Sequence, residues 1–315
     1  MVVYSERPAP DGSWRRGFAF HTSPDLKSWR ETSWLEGYFE APDLFALPVD
    51  GDPNRVKWVL MSGPGYYAIG EFDGSKFMAE TDRLPGPAGG RTRSGATGSD
   101  EPQRSVLQNL LPVTSVHAAQ TVSNHPNGDR VQMAWGLVDT ISAPFSQMMT
   151  FPTKLSLRTT SEGIRLCREP VDAIRSLRVH TNDFPAGPPA SPSPLSGLQG
   201  DAWDIEATVR VGSINNELVF SIGGDDYVYQ CAPQMLSGPT GAMPIPLSGG
   251  LLHLRILVDR TTVEVFGDRG QAYGLFLRSK PGGTASLDLR ASHGLIEKMY
   301  VERLRVHALR SAWTG

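Results

Sequence analysis

The sequence predicts an all-β protein of two domains, and three observations carry that reading. Glycine and proline, 33 and 25 of the 315 residues, favour many turns between short elements over long helices. Apolar runs of four to six residues recur along the chain with turn chemistry between them. At roughly 150 residues per domain, this length holds about two domains, each large enough to bury its own core.

The elements follow in order. Met1-Val2-Val3-Tyr4 reads as a strand, and so do Gly17–Phe20, Lys57–Met61, Tyr66–Gly70, Val131–Trp135 and Lys154–Leu157. Asp73-Gly74 and Asn127-Gly128 sit where hairpin turns need positive φ. The stretches Glu40 to Gly70 and His117 to Leu157 repeat the order polar entry, strand, hairpin, and units of that size suggest propeller blades. Residues 85–105 carry no periodic apolar pattern and read as an excursion between two blades.

Val171, Ile174 and Leu177 fall at helical spacing, so residues 168–177 read as a short linker helix. This places a first domain at 1–167 and a second at 178–315. Beyond a Pro-, Gly- and Ser-rich stretch from Phe184 to Gly200, the alternating runs Asp204–Val209 and Leu218–Ile222 each show one apolar face. Leu254–Asp259 and Thr262–Phe266 form a further hairpin. That pattern belongs to a β-sandwich, with Asp259 and Glu264 expected as surface charges.

Composition excludes several function classes. Thirty basic against 33 acidic side chains leave a formal charge of −3, which offers no field for phosphate backbones or anionic lipid, so neither nucleic acid nor a membrane is expected as partner. No window approaches the ~18 unbroken apolar residues of a membrane-spanning helix. Cys167 and Cys231 are too few and too far apart for a metal cluster or a disulfide scaffold. No basic, apolar export segment precedes the first strand, which is expected of a cytoplasmic chain or of one whose true beginning lies upstream; the compartment stays open.

Glu40-Ala41-Pro42-Asp43-Leu44-Phe45 is the most informative stretch, two carboxylates flanking a proline ahead of an apolar strand. Proline excludes a regular helix, and on extended chain the two carboxylates would stand roughly 10 Å apart on opposite faces. That exceeds the ~5–5.5 Å of a retaining glycosidase pair. A catalytic Glu40 would need its partner elsewhere.

Several stretches resemble glycoside hydrolase family 32, whose members act on β-linked fructose. Ser23-Pro24-Asp25-Leu26-Lys27-Ser28-Trp29 is similar to the family's SxDLxxW segment, and the Glu40–Phe45 stretch to its ECPDLF motif. Tyr67–Phe77 resembles the family's YxxGxFDGxxF hairpin, His117–Thr121 its YAAQT, and Phe151–Leu157 its lPReLsL strand. Val258–Phe266 resembles vDrsSvEvF. The resemblance covers nearly the whole chain and implies an incomplete five-bladed β-propeller followed by a C-terminal β-sandwich.

It also implies roles. Glu40 matches the acid/base glutamate of a retaining hydrolase of levan, inulin or sucrose. Asp43, Trp135 and His117 become candidates for the sugar pocket. Neither the NDPNG motif that carries the family's nucleophile nor the RDP motif of its transition-state stabiliser occurs here, so impaired activity is expected. Met1-Val2-Val3-Tyr4 resembles the strand shortly after RDP. Asp52-Pro53-Asn54 is expected to be a turn rather than a displaced nucleophile motif.

The chain departs from the family at Ala41, where cysteine is usual, and at His117, where tyrosine is. An imidazolium beside Glu40 would lower its pKa, and burial without a partner would raise it. No cofactor and no metal are implied. The expected partners are a fructose-containing oligo- or polysaccharide and, through an open propeller edge, a second copy or another chain. The alternatives are a non-catalytic fructan-binding remnant and one half of a split enzyme.

Overall fold

The computed structural model describes residues 1–86, 116–136, 147–292 and 298–313. These form two compact units. The first holds the described residues from Met1 to Leu166 apart from Gln147, and the second begins at Cys167. Most of the excursion expected at 85–105, from residue 87 onward, lies outside the described residues.

The first unit is built from antiparallel meanders. Strands β1 (Val2–Pro8), β2 (Trp14–Thr22) and β3 (Arg30–Glu36) form a three-stranded sheet. A four-stranded meander follows: β4 (Asp43–Val49), β5 (Asp52–Met61), β6 (Tyr67–Phe72) and β7 (Phe77–Ala79). The third group comprises β8 (Val116–Val122), β9 (Arg130–Gly136), β10 (Met148–Met149), β11 (Thr153–Thr160) and β12 (Gly163–Pro170). β4 to β12 make one nine-stranded curled sheet.

The two larger meanders join where β11 runs parallel to β4 at Leu157 and Val49. Asp50 clasps that seam, accepting from the Thr159 amide at 2.8 Å and the Thr159 hydroxyl at 2.6 Å. Phe18 and Phe20 from β2, Tyr38, and Leu60, Ala68 and Phe77 from the second meander form one buried cluster. Burial of such side chains contributes about 1.5–3 kcal/mol each, and here it fixes the chain segment just before Glu40.

The expected strands are present but longer than the apolar runs that reveal them. β5 extends back to Asp52 through an exposed Asp-Pro-Asn-Arg-Val stretch that still pairs with β4. Periodicity reports only the half of a strand with a buried face. Gly74 at φ 93° and Gly128 at φ 73° sit in the turns that Asp73-Gly74 and Asn127-Gly128 predict. Asp52-Pro53-Asn54, expected as a turn, instead opens strand β5 just after the turn glycine Gly51, with Asp52 accepting from the Asn54 amide at 2.9 Å.

The second unit is a sandwich of two six-stranded sheets. One runs β13 (Arg178–Phe184), β24 (Tyr300–Leu309), β15 (Trp203–Arg210), β20 (Leu251–Val258), β21 (Thr262–Gly267), β22 (Ala272–Leu277). The other runs β14 (Gln199–Gly200), β23 (Ala285–Ser292), β16 (Glu217–Ile222), β17 (Asp225–Gln230), β18 (Met235–Gly238), β19 (Gly241–Pro244). Every second residue of β15 and β20, among them Ile205, Ala207, Leu254 and Ile256, enters one shared core.

Two expectations need correction here. The linker helix is one 3-10 segment, Asp172–Leu177, shorter than 168–177, because Arg168 to Pro170 continue as the end of β12. Glu264 is fully buried rather than a surface charge, since all six residues of β21 are covered, and its carboxylate accepts from the Tyr273 hydroxyl at 2.8 Å. Both cysteines are buried, and they are not joined to each other by a disulfide.

Candidate active site

Glu40 lies in the connection between β3 and β4, and aromatic anchors on either sheet hold that connection. Tyr38 is buried and its ring lies 5.1 Å from that of Phe18. Phe39 meets Tyr4 of β1 edge-on at 5.3 Å, with the Arg16 guanidinium 5.2 Å from its ring. The chain then turns sharply: Glu40 and Ala41 adopt φ of 49° and 40°. This left-handed backbone is uncommon for residues with a Cβ and persists only where the surroundings impose it. The extended geometry assumed for Glu40 through Asp43 is therefore corrected, and a separation of roughly 10 Å no longer follows.

Gly63 supplies much of that imposition. Its amide is shared between the carbonyls of Phe39 at 3.1 Å and Glu40 at 2.7 Å, and its own carbonyl accepts from the Ala118 amide at 2.9 Å. A Cβ at this position would stand 3.1 Å from the Glu40 Cβ and 3.2 Å from the His117 Nε2. Glycine is what lets the two side chains meet.

They meet at 3.1 Å, His117 Nε2 to Glu40 Oε2. The Glu40 side chain is 48% exposed and that of His117 25%, so the carboxylate keeps an open side. His117 sits on β8 beside a bulge: pairing with β9 runs His117 to Trp135, then Gln120 to Met133, and Ala118 takes φ 49°. Bulges re-aim side chains at such points. Trp135, 41% exposed, stands edge-on to the His117 ring with centroids 6.2 Å apart. Glu40, His117 and Trp135 thus form one cluster, with the indole on the surface rather than in the core.

Asp43 plays a different part. It opens β4 and its Oδ2 accepts the Thr121 amide at 2.7 Å, tying β4 to β8. Burial raises its pKa, against the opposing pull of Thr121 and of the Arg130 guanidinium. Gln120 donates to the Ala41 carbonyl at 3.1 Å, a second tie across the same gap.

Sequence reasoning passed over Gly63, Gln120, Thr121 and Tyr4. Gln120 and Thr121 stand inside the stretch His117–Thr121, where polar residues interrupt an apolar strand. Gly63 belongs to Ser62-Gly63-Pro64-Gly65, which reads as ordinary turn composition. Tyr4 comes from β1: its phenol pKa is raised by burial, by its hydrogen bond to Glu6 at 2.6 Å, and by the charge of Glu40. That last influence puts the phenol within electrostatic reach of the candidate acid.

Another cleft, of about 480 Å³, lies on the sandwich and includes Glu206, His253, Arg255 and Arg303. Its arginines are committed. Arg255 holds Asp204 at 2.9 Å and Arg303 holds Glu206 at 2.7 Å. Among the described residues no group of three or more histidine, cysteine, aspartate or glutamate side chains could hold a metal.

No family model matches the chain. Among characterised proteins, a levanase of Bacillus subtilis (strain 168) is 27% identical over 345 residues, covering 93% of this chain and 47% of its own length. The extracellular exo-inulinase of Aspergillus ficuum is 26% identical over 344 residues, covering 94% and 60%. The crystal structure of an exo-inulinase from Aspergillus awamori superposes with a TM-score of 0.69 at 20% identity, over 96% of this chain and 66% of that one. A GH32 β-fructofuranosidase of Bombyx mori gives 0.64 at 14%, over 98% and 63%.

The chain shares the fold of these proteins, propeller-type β-sheets followed in sequence by a β-sandwich. In sequence the chain is similar to levanases and exo-inulinases, and in fold to a β-fructofuranosidase of glycoside hydrolase family 32. It spans about half the length of the characterised relatives it matches.

Proposed function

We propose that this chain supplies the acid/base half of a retaining hydrolase of β-fructosides, with Glu40 as proton donor. The observation that carries the reading is the half-exposed Glu40 carboxylate, fixed at one oxygen by His117 and bordered by the exposed Trp135 indole. One face of the carboxyl is held and the other is open to a substrate.

In this reading Glu40 protonates the leaving glycosidic oxygen, and the resulting carboxylate then takes a proton from the water that releases fructose. Trp135 offers an apolar wall to a sugar ring. Asp43 is unsuited to the role of nucleophile, because burial disfavours its charged form and Thr121 already occupies one of its oxygens. We assign the nucleophilic carboxylate to a segment outside these 315 residues, as the missing NDPNG motif implies. Levan, inulin and sucrose are the substrates to test, in keeping with the levanase and inulinase names of the relatives.

Calorimetry against levan, inulin and sucrose, run beside an assay of released fructose, tests the reading. In the protein that carries the nucleophile-bearing segment as well, release that falls by ~10²–10⁴ in Glu40→Gln supports it. Near-normal release in that variant rejects it. Binding without release even when the nucleophile-bearing segment is supplied favours a fructan-binding remnant in its place.

A further inference from the structure

The contact between His117 and Glu40 is built by the backbone, and it has a direction. Gly63 binds the Glu40 carbonyl with its amide and receives the Ala118 amide on its carbonyl. One residue thus brackets both partners from behind, and a Cβ there would press on both, 3.1 Å from the Glu40 Cβ and 3.2 Å from the His117 Nε2. Three left-handed residues, Glu40, Ala41 and Ala118, flank the pair, so neither side chain is free to swing with its loop. If Oε1 is the oxygen that carries the exchangeable proton, Oε2 is an acceptor in both protonation states of Glu40, and the 3.1 Å contact is then a donation from His117 Nε2–H to Glu40 Oε2.

We propose that His117 is a positioning residue for Glu40: its Nε2–H pins Oε2 and leaves Oε1 as the oxygen that exchanges protons with substrate. The assignment rests on the acid/base reading of Glu40. His117 itself neither gains nor loses a proton in either step. Its donated hydrogen bond strengthens when Glu40 has given up its proton, because bonds to charged acceptors are roughly twice as strong as neutral ones. A neutral imidazole whose other nitrogen carried the proton would present a lone pair to the carboxylate and repel it. His117 must therefore be held in one tautomer, and the bulge at Ala118 is the device that aims it.

Long-range ¹H–¹⁵N correlation spectra of the full chain test this without recourse to turnover. With neutral imidazole, His117 is expected in the Nε2–H form with a slowly exchanging ring proton. Glu40→Gln, whose amide oxygen still accepts, keeps that form. Glu40→Ala removes the acceptor and should speed exchange of the ring proton roughly tenfold. Gly63→Ala, which crowds both side chains, should shift exchange in the same direction.

A wild-type Nδ1–H tautomer overturns the proposal, and so does a Glu40→Ala spectrum that matches wild type in its His117 signals. Unchanged backbone amide signals from the sandwich check that each variant remains folded. If the spectra behave as expected but Glu40→Gln releases fructose normally, the acid/base reading fails while the positioning contact stands.

Discussion

At the scale of single residues, Asp43 and Asp204 are both removed from water and shift in opposite directions. For Asp43 burial prevails over hydrogen bonds from Thr121 and the Leu44 amide and a guanidinium at longer range, raising its pKa. For Asp204 burial acts the same way but is outweighed by Arg255 and Arg178, whose nitrogens reach it at 2.9 Å each, and its pKa falls. A carboxyl with a raised pKa binds more protons folded than unfolded, so Asp43 makes stability decline as pH rises from the unfolded value through the folded one. Asp43→Asn, which retains an acceptor for Thr121, should flatten that decline in denaturant midpoints measured across the acidic range. An unchanged slope would mean that Asp43 is not the group responsible.

Glu40 itself is half-exposed and was legible from sequence, because carboxylates around a proline ahead of a strand stand out. Its partner was legible only through the family resemblance, which made His117 a pocket candidate. His117 is 77 residues away, and only the pairing of β8 with β9 and the bulge at Ala118 bring it to Glu40. Gly63 was illegible for another reason: a glycine that brackets two side chains and a glycine that merely turns a loop have the same letter, and only the 3.1 and 3.2 Å clearances separate them.

At the scale of elements, strands were found where apolar alternation exists and were shortened where it stops, as at the exposed start of β5. Arg168 to Pro170 read as helix because Val171, Ile174 and Leu177 share a period of three, which a 3-10 segment also satisfies. Glu264 misled because a charged residue in a hairpin strand is ordinarily solvated, whereas β21 is an inner strand with both faces covered.

Within the sandwich, Asp204 accepts from Arg178 of β13 and Arg255 of β20 and so ties both flanks of its sheet. Asp204→Ala removes the acceptor that both guanidinium groups share, leaving Arg178 its bond to Glu206, and a loss of roughly 3–5 kcal/mol is expected from chemical denaturation. The stability Asp204 contributes is present above the ordinary carboxylate range and is lost as pH falls through its depressed folded pKa. In the first unit, Leu60→Ala should cost about 2–5 kcal/mol, because Leu60 is fully buried in the cluster that anchors Tyr38.

At the scale of the whole molecule, the sandwich core runs from Leu195 to Val306 and draws on its own unit alone. A polypeptide of residues 167–315 should therefore unfold in urea as one cooperative transition with native-like near-ultraviolet dichroism. A gradual, featureless transition would show that the core needs more of the chain. Among the described residues, β1 stands at an edge of the three-stranded sheet and β7 at an edge of the larger one. Such edges invite pairing, and concentration-dependent sedimentation is the expected result if they recruit a second copy.

The central claim is that Glu40 delivers a proton to a departing sugar oxygen, and the leaving group tests it most directly. Sucrose needs that proton, and a β-fructosyl fluoride does not. In the protein that turns over both, Glu40→Gln should lose ~10²–10⁴ of its rate on sucrose and keep its initial burst of fluoride release. Equal losses on the two substrates, or none on either, would contradict the account.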